Sequence, residues 1–367
     1  MHIGILGTGQ LGRMMVKSAK NLEHSFCFGA IAGDDKSSVS GIAEIIDIDK
    51  SMTSVELFEA LGKPDVITIE KEAVNASLLE ELAELTQVAP NPKAIAISQN
   101  RYLEKGFIAE LNIPTVDYRF AANSEQVIEA VKSLSYPLII KSSEQGYDGK
   151  NQWRLKGQED LNIFLVSYAD QEVILERHIN FDAELSMIAV RRFSGEIKFY
   201  PLTENYHHQG VLLTSKAFAI NQYQHFTTTA QNYLQSLLQA LDYVGVLSME
   251  CFVVDQQLLI NEIAPRVHNS GHWTQIGAKT CQFENHIRAI SDMPLGDTTL
   301  LQPSAMVNIL GHEQITIPAG VSVSQVNWYG KSIKPNRKIG HINITADQTS
   351  KVEHTIDKIM GSLYQID

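Results

Sequence analysis

Glu250 and Glu262 flank a short polar turn between two apolar runs. With a three-residue loop, Asp255-Gln256-Gln257, Val254 pairs with Leu258 and Glu250 falls directly opposite Glu262. Like charges facing each other across neighbouring strands destabilise a sheet. The neighbours Met249, Phe252, Leu259 and Ile260 are apolar, so these acids are not freely solvated. A bound cation resolves the conflict. Mg²⁺ takes hard oxygen ligands, often one or two carboxylates plus nucleotide phosphates, and Asn261 offers a further oxygen beside Glu262. The alternative is a pair of rim carboxylates on strands in another register.

Three other stretches suit anions. Lys141 leaves a strand-like run and is followed by Ser142 and a glycine-containing loop reaching Lys150. An ammonium beside exposed backbone N–H groups suits phosphate, although the Walker A spacing is absent and an ordinary hairpin fits equally. Ala264-Pro265-Arg266-Val267-His268-Asn269-Ser270-Gly271-His272 directly follows the acidic strand and reads as a small-anion pocket. A zinc reading of His268 and His272 is disfavoured, since Gly271 argues against a helix and no HExxH is present. His207-His208 reads as polar recognition or surface. Lys331, Lys334, Arg337 and Lys338 are four cations with no acid between them, either a phosphate clamp or a solvated loop. Gly7-Thr8-Gly9-Gln10-Leu11-Gly12 fits GxGxxG, with Asp34 or Asp35 near the place of a ribose-binding acid. That alone gives a rival reading, an NAD-dependent oxidoreductase.

The elements that must position these residues alternate early in the chain. Residues 2–6, 25–31 and 65–69 read as strands, and residues 11–22 and 76–85 as helices. This predicts parallel βαβ units. Pro90-Asn91-Pro92 breaks the pattern. Beyond it come a helix over 98–111, strands over 137–142, 172–175 and 184–191, a helix over 226–243 and the acidic hairpin. After Pro303, short strand-like runs suggest a small β-rich tail. The 367 residues fit two or three domains. A formal net charge of −12 argues against nucleic-acid polymers and anionic membrane as partners, but not against a small anion held locally. No apolar run spans a bilayer, no secretory signal is visible, and three cysteines without CxxC spacing read as buried reduced thiols. These features predict a cytoplasmic soluble protein.

Four segments together resemble the ATP-grasp superfamily, and within it the 5-(carboxyamino)imidazole ribonucleotide synthase family. They are GILGTGQLGRMM at 4–15, GYDGKNQW at 146–153, GVLSMECFVVDQQLLINEIAPRVHNSGHWTQ at 245–275 and KPNRKIGHIN at 334–343. The resemblance implies an α/β ATP-grasp fold in three parts. These are a Rossmann-like (pre-ATP-grasp) domain over 1–92, an ATP-grasp domain over 93–302 with a mobile lid at about 115–178, and a small β-rich domain over 303–367. By that resemblance, Arg101 and Lys141 match phosphate-binding cations, and Gly146, Tyr147, Asp148, Gly149, Lys150, Asn151 and Gln152 match the lid loop. Glu176, Arg177, His178 and Ile179 match the segment that receives adenine. Glu184 matches the ribose-binding acid, His207 a nucleotide contact, and Asn261 with Glu262 the ATP site.

Glu250 and Glu262 match magnesium ligands, with Mn²⁺ as an alternative ion; no flavin, NAD or biotin is expected. On the substrate side, Tyr147, Asp148, Arg266, His268, Asn269 and Ser270 match the aminoimidazole and bicarbonate contacts, with Asp148, Arg266 and His268 in catalytic roles. Lys331, Arg337 and Lys338 match the holders of the ribonucleotide phosphate. Gln145, Asn151 and Asn336 depart from the family, standing where glycine is common. The implied reaction carboxylates 5-aminoimidazole ribonucleotide with ATP and bicarbonate in purine biosynthesis, in a homodimer that passes its product to a separate mutase. Rivals are another ATP-grasp ligase, such as a formate-using transformylase or a biotin carboxylase-like enzyme, and a nucleotide-sensing module without turnover.

Overall fold

The computed structural model describes residues 1–49, 51–144, 151–218, 222–321 and 323–364. The first five strands are β1 (His2–Leu6), β2 (Ser25–Ala30), β3 (Glu44–Asp47), β4 (Val66–Ile69) and β5 (Gln87–Val88). They form a parallel sheet in the order β3-β2-β1-β4-β5, as the strand–helix alternation predicts. β3 and β5 escape a hydropathy reading because one is a half-exposed edge and the other only two residues long.

Pro90-Asn91-Pro92 both ends that unit and starts the next. Asn91 caps the helix Pro92–Gln99, with proline in its first turn. The helix expected over 98–111 is instead divided at Asn100. There the backbone turns extended, and the side chain accepts from the Tyr102 and Leu103 N–H groups to cap a new helix, Arg101–Glu110. Arg101 thereby stands at a helix start.

A second sheet is made of β6 (Tyr118–Ala121), β7 (Leu138–Ser142), β8 (Gln152–Leu155) and β9 (Val173–Arg177) in the order β6-β9-β7-β8. The third is largest. It contains β10 (Ala183–Arg191), β11 (Ile197–Phe199), β12 (Thr203–His208), β13 (Val211–Ala217), β14 (Gly245–Val254), β15 (Gln257–Ala264), β16 (Ser304–Leu310), β17 (Gln325–Trp328) and β18 (Lys338–Thr345). Its path is β15-β14-β10-β12-β13-β16-β18-β17, with β11 beside β10. The three tail strands therefore continue the central sheet through β13–β16 pairing, and the helix Thr349–Leu363 packs on them.

Alternation along β10 and β14 decides what each face meets. On one face, Leu185, Met187, Leu247 and Met249 pack on Leu234, Leu237 and Leu238 of the helix Thr227–Ala240. On the other, Ile188, Val190 and Val246 share a core with Phe283 and Ile287 and with Met14 and Met15 of the helix Gln10–Ser18. This second face is covered only along part of its length. Glu184, Glu250 and Glu262 stand on the remainder. No helix among the described residues is long and apolar enough to cross a membrane. The cysteines are free: Cys27 and Cys251 are buried as expected, while Cys281 is half-buried.

Candidate active site

Glu250 and Glu262 are Cα partners, but not through the loop expected from sequence. The β14–β15 turn has two residues, Asp255 and Gln256, at φ of +48° and +61°. Two consecutive left-handed residues are the twist-matched hairpin turn. Val254 consequently pairs with Gln257, and Val253 with Leu258. The extra residue lies instead in a bulge: Cys251 faces Ile260, then Glu250 faces Glu262, leaving Asn261 without a partner of its own. Asn261 lines a small cleft with Glu184, Asn205, His207, Glu250 and Phe252.

Burial pushes the Glu250 carboxyl up, and Glu262 and Glu184 push it further, against the opposing charges of His207 and Lys338. Negative charge is thus concentrated on oxygen donors without full compensation, which fits a small hard divalent cation such as Mg²⁺. No group of three or more His, Cys, Asp or Glu side chains among the described residues is placed to hold a metal.

Cations meet Glu262 and the buried Glu176. Arg101 Nη1 lies 3.4 Å from Glu262 Oε2. Lys141 Nζ contacts Glu176 Oε2, while Lys105 Nζ lies 3.0 Å from Oε1 of the same carboxylate. Burial alone would raise Glu176, yet the two lysines overcome it and hold the carboxyl at about 2. His207 Nδ1 lies 2.8 Å from Glu184 Oε2. Burial lowers the His207 imidazole, but Glu184 and Glu250 outweigh this and raise it. The segment at the end of β9 is less enclosed. Arg177 pairs with Asp117 at 3.4 Å, His178 donates its N–H to the Pro137 carbonyl, and Ile179 is half-buried.

His268 Nε2 is 3.8 Å from Glu250 Oε1, and its Nδ1 is 2.9 Å from Ser270 Oγ. Burial, then the nearby Arg266, Lys338 and His207, hold this imidazole well below its usual range, so it is neutral at physiological pH. Arg266 pairs with Glu72, just beyond β4, at 2.9 Å. Asn269 exchanges two amide hydrogen bonds with Asn308, at 3.0 and 2.7 Å.

The tail cations meet the glycine-rich start. Lys331 Nζ contacts Gln10 Oε1, and Arg337 Nη2 lies 3.0 Å from Asp35 Oδ2. Lys338, at the start of β18, acts electrostatically on Glu250, His207 and His268. The glycine loop itself is filled. A Cβ on Gly9 would stand 2.6 Å from Glu70 Oε2, and one on Gly7, at φ +105°, would stand 2.7 Å from Glu70 Cγ. Glu70 is a buried carboxylate accepting the Gly9 N–H. It occupies the crook that a dinucleotide's pyrophosphate takes in the oxidoreductase reading. Asp34 is engaged by Lys71 and the Ile31 N–H, and Asp35 by Ser37 and Arg337. The oxidoreductase reading therefore lacks both its phosphate seat and its ribose acid.

Gln145, Gly146, Tyr147, Asp148, Gly149 and Lys150 lie outside the described residues. Asn151 accepts the Ser142 N–H, and Gln152 pairs with Lys141 across β7–β8. Asn151 and Asn336 take φ of +55° and +59°. Asparagine tolerates this region better than other side-chain-bearing residues.

Sequence reading alone missed Lys105, Glu104, Glu70, Glu72 and Gln282. Gln282 clamps His268, accepting its N–H at 2.9 Å and donating to its carbonyl at 2.6 Å. Glu104 Oε1 accepts the Ile263 N–H at 2.6 Å, and burial together with Glu262 pushes its carboxyl up to about 8. Lys105 had a visible signal, since it lies one helical turn from Arg101 on the same face.

The three-sheet fold, with a carboxylate pair on the central sheet and buried lysines meeting Glu176 on the β6-β9-β7-β8 sheet, defines the ATP-grasp class. The family descriptions that match are "Ribonucleotide synthetase preATP-grasp domain" over 1–99, "ATP-grasp domain" over 106–283 and "Phosphoribosylaminoimidazole carboxylase C-terminal domain" over 304–355. The N5-carboxyaminoimidazole ribonucleotide synthase of Vibrio cholerae is 38% identical over 97% of this chain and 94% of its own. The crystal structure of the synthetase from Thermus thermophilus superposes with a TM-score of 0.90 at 34% identity, covering 99% of each chain. The Aspergillus clavatus synthase in complex with ADP and 5-aminoimidazole ribonucleotide matches at a TM-score of 0.87 and 28% identity, covering 100% of this chain and 99% of its own. This chain belongs to the N5-carboxyaminoimidazole ribonucleotide synthase family, whose members are ATP-dependent ligases.

Proposed function

We propose that this chain carboxylates the exocyclic amine of 5-aminoimidazole ribonucleotide, consuming ATP and bicarbonate and releasing ADP and phosphate, in purine biosynthesis. The observation that carries this reading is the position of Glu250 and Glu262. Supporting it, Arg101 lies 3.4 Å from Glu262 and His268 lies 3.8 Å from Glu250, while His207 and Lys338 act electrostatically on Glu250.

Glu250 and Glu262, with Asn261 beside them, would hold Mg²⁺, and Mn²⁺ suits the same oxygen donors. Bound there, the ion would offset negative charge developing in transfer. Arg101 and Lys141 hold the phosphates, His207 and Glu184 the ribose side, and residues 176–179 the adenine. Bicarbonate oxygen attacks the γ-phosphorus, the bond to the bridging oxygen breaks, and carboxyphosphate and ADP form. Arg266 supplies positive charge to that anion, and neutral His268 supplies a hydrogen bond. The amine then takes the carboxyl carbon, phosphate departs, and Asp148 orients the amine and receives its proton. Lys331, Arg337 and Lys338 hold the ribonucleotide phosphate, and the lid excludes water that would hydrolyse the intermediate.

The same reading makes the enzyme a cytoplasmic homodimer with domain limits near residues 92 and 302, its product passing to a separate mutase; these points rest on the family resemblance. Transfer of labelled bicarbonate carbon to 5-aminoimidazole ribonucleotide, dependent on ATP, tests the function. Label appearing only with formate, or on no acceptor, contradicts it.

A further inference from the structure

Glu176 is buried and meets two lysines, one on each oxygen, and the two are held differently. An ammonium has three donors. Those of Lys105 find Glu176 Oε1 at 3.0 Å, Thr115 Oγ1 at 2.9 Å and the Asn261 carbonyl at 3.3 Å. Thr115 is itself fixed, donating to the Ile260 carbonyl at 2.7 Å. Lys105 is therefore locked between β9 and the bulge that sets Glu262, with a side chain only 2% exposed. Lys141 holds the other oxygen from near the end of β7, with a side chain 10% exposed.

Lys141 carries a single positive charge, so a phosphate that draws on it leaves Glu176 short of counter-charge. A buried carboxylate stripped of its counter-charge is costly. We propose that Lys105 is a positioning residue for nucleotide use: it is the standing counter-ion of Glu176, and so frees Lys141 to exchange that carboxylate for nucleotide phosphate. This rests on the phosphate role of Lys141 given above.

The test uses the full chain and steady-state ADP release, with ATP and 5-aminoimidazole ribonucleotide varied separately. Lys105→Met is expected to raise KM for ATP about tenfold or more, while moving KM for the ribonucleotide less than about twofold. Lys105→Arg recovers most of the loss, because it keeps the charge. In a Glu176→Gln background no carboxylate needs neutralising, so adding Lys105→Met costs less than about threefold, the sign of residues acting through one another. Should Lys105→Met alone fail to fold, that double variant compared with Glu176→Gln carries the test.

The proposal is overturned if Lys105→Met raises both KM values equally. It is also overturned if the change leaves ATP use intact while Lys141→Met impairs it, or if its cost is undiminished beside Glu176→Gln. Unchanged ATP use in Lys141→Met is a separate result, removing the phosphate role of Lys141 itself.

Discussion

Glu250 faces Glu262 because Asn261 is one residue too many for the ladder between β14 and β15. A one-residue slip in a strand moves its side chains to the opposite face. The bulge therefore decides that Glu262 shares the face of Glu250 and Glu184, while the two-residue turn keeps the rest of the hairpin in regular register.

Glu262→Gln keeps the shape and removes one of the two carboxylate charges. ADP release should fall about tenfold or more, and the Mg²⁺ concentration for half-maximal rate should rise. Chelation of divalent ions should abolish turnover in the parent protein. Unaltered Mg²⁺ dependence in the variant would reject Glu262 as a ligand.

Arg337→Ala should raise KM for the ribonucleotide about tenfold, since a charge-assisted hydrogen bond to phosphate is lost, with KM for ATP little changed. Arg337 is held by Asp35 and Ser332. An effect confined to ATP would contradict its placement on the ribonucleotide phosphate.

Gly9→Ala should destabilise the protein by about 1–3 kcal/mol, because the new methyl meets the buried Glu70 carboxylate and forces local overpacking. Thermal unfolding measures this. A companion titration with NAD(H) should show no saturable binding to the parent protein. Tight NAD(H) binding would restore the oxidoreductase reading.

Glu104→Gln gives a pH signature. The folded-state carboxyl is raised to about 8, so its contribution to stability is full below its unfolded value and is lost as pH rises through about 8. Glutamine still accepts the Ile263 N–H. Without divalent ions, the melting temperature of the parent relative to Glu104→Gln should therefore decline steadily from about pH 5 to about pH 8. A difference independent of pH would show that Glu104 is not raised.

Much of this arrangement was legible in the sequence, though in pieces. Hydropathy alternation exposed the parallel start and the acidic hairpin, because burial on a face leaves a periodic trace. It did not expose the bulge. A three-residue loop and a two-residue loop plus a bulge bring Glu250 to Glu262 equally well, and only backbone φ at Asp255 and Gln256 separates them. GxGxxG was visible, but not that Glu70, 61 residues beyond Gly9, fills it, since that depends on β4 lying beside β1. The tail cations read as an isolated clamp until the fold brought Lys331 to Gln10 and Arg337 to Asp35. Lys105 shared a helical face with Arg101 in the sequence, but its burial was not legible, because it comes from contact with β9 and β15.

The most direct test of the central claim is ADP release with each substrate omitted in turn. The account predicts turnover only when Mg²⁺, ATP, bicarbonate and 5-aminoimidazole ribonucleotide are all present. Robust ADP release without the ribonucleotide, or no acceleration on adding it, would contradict the account.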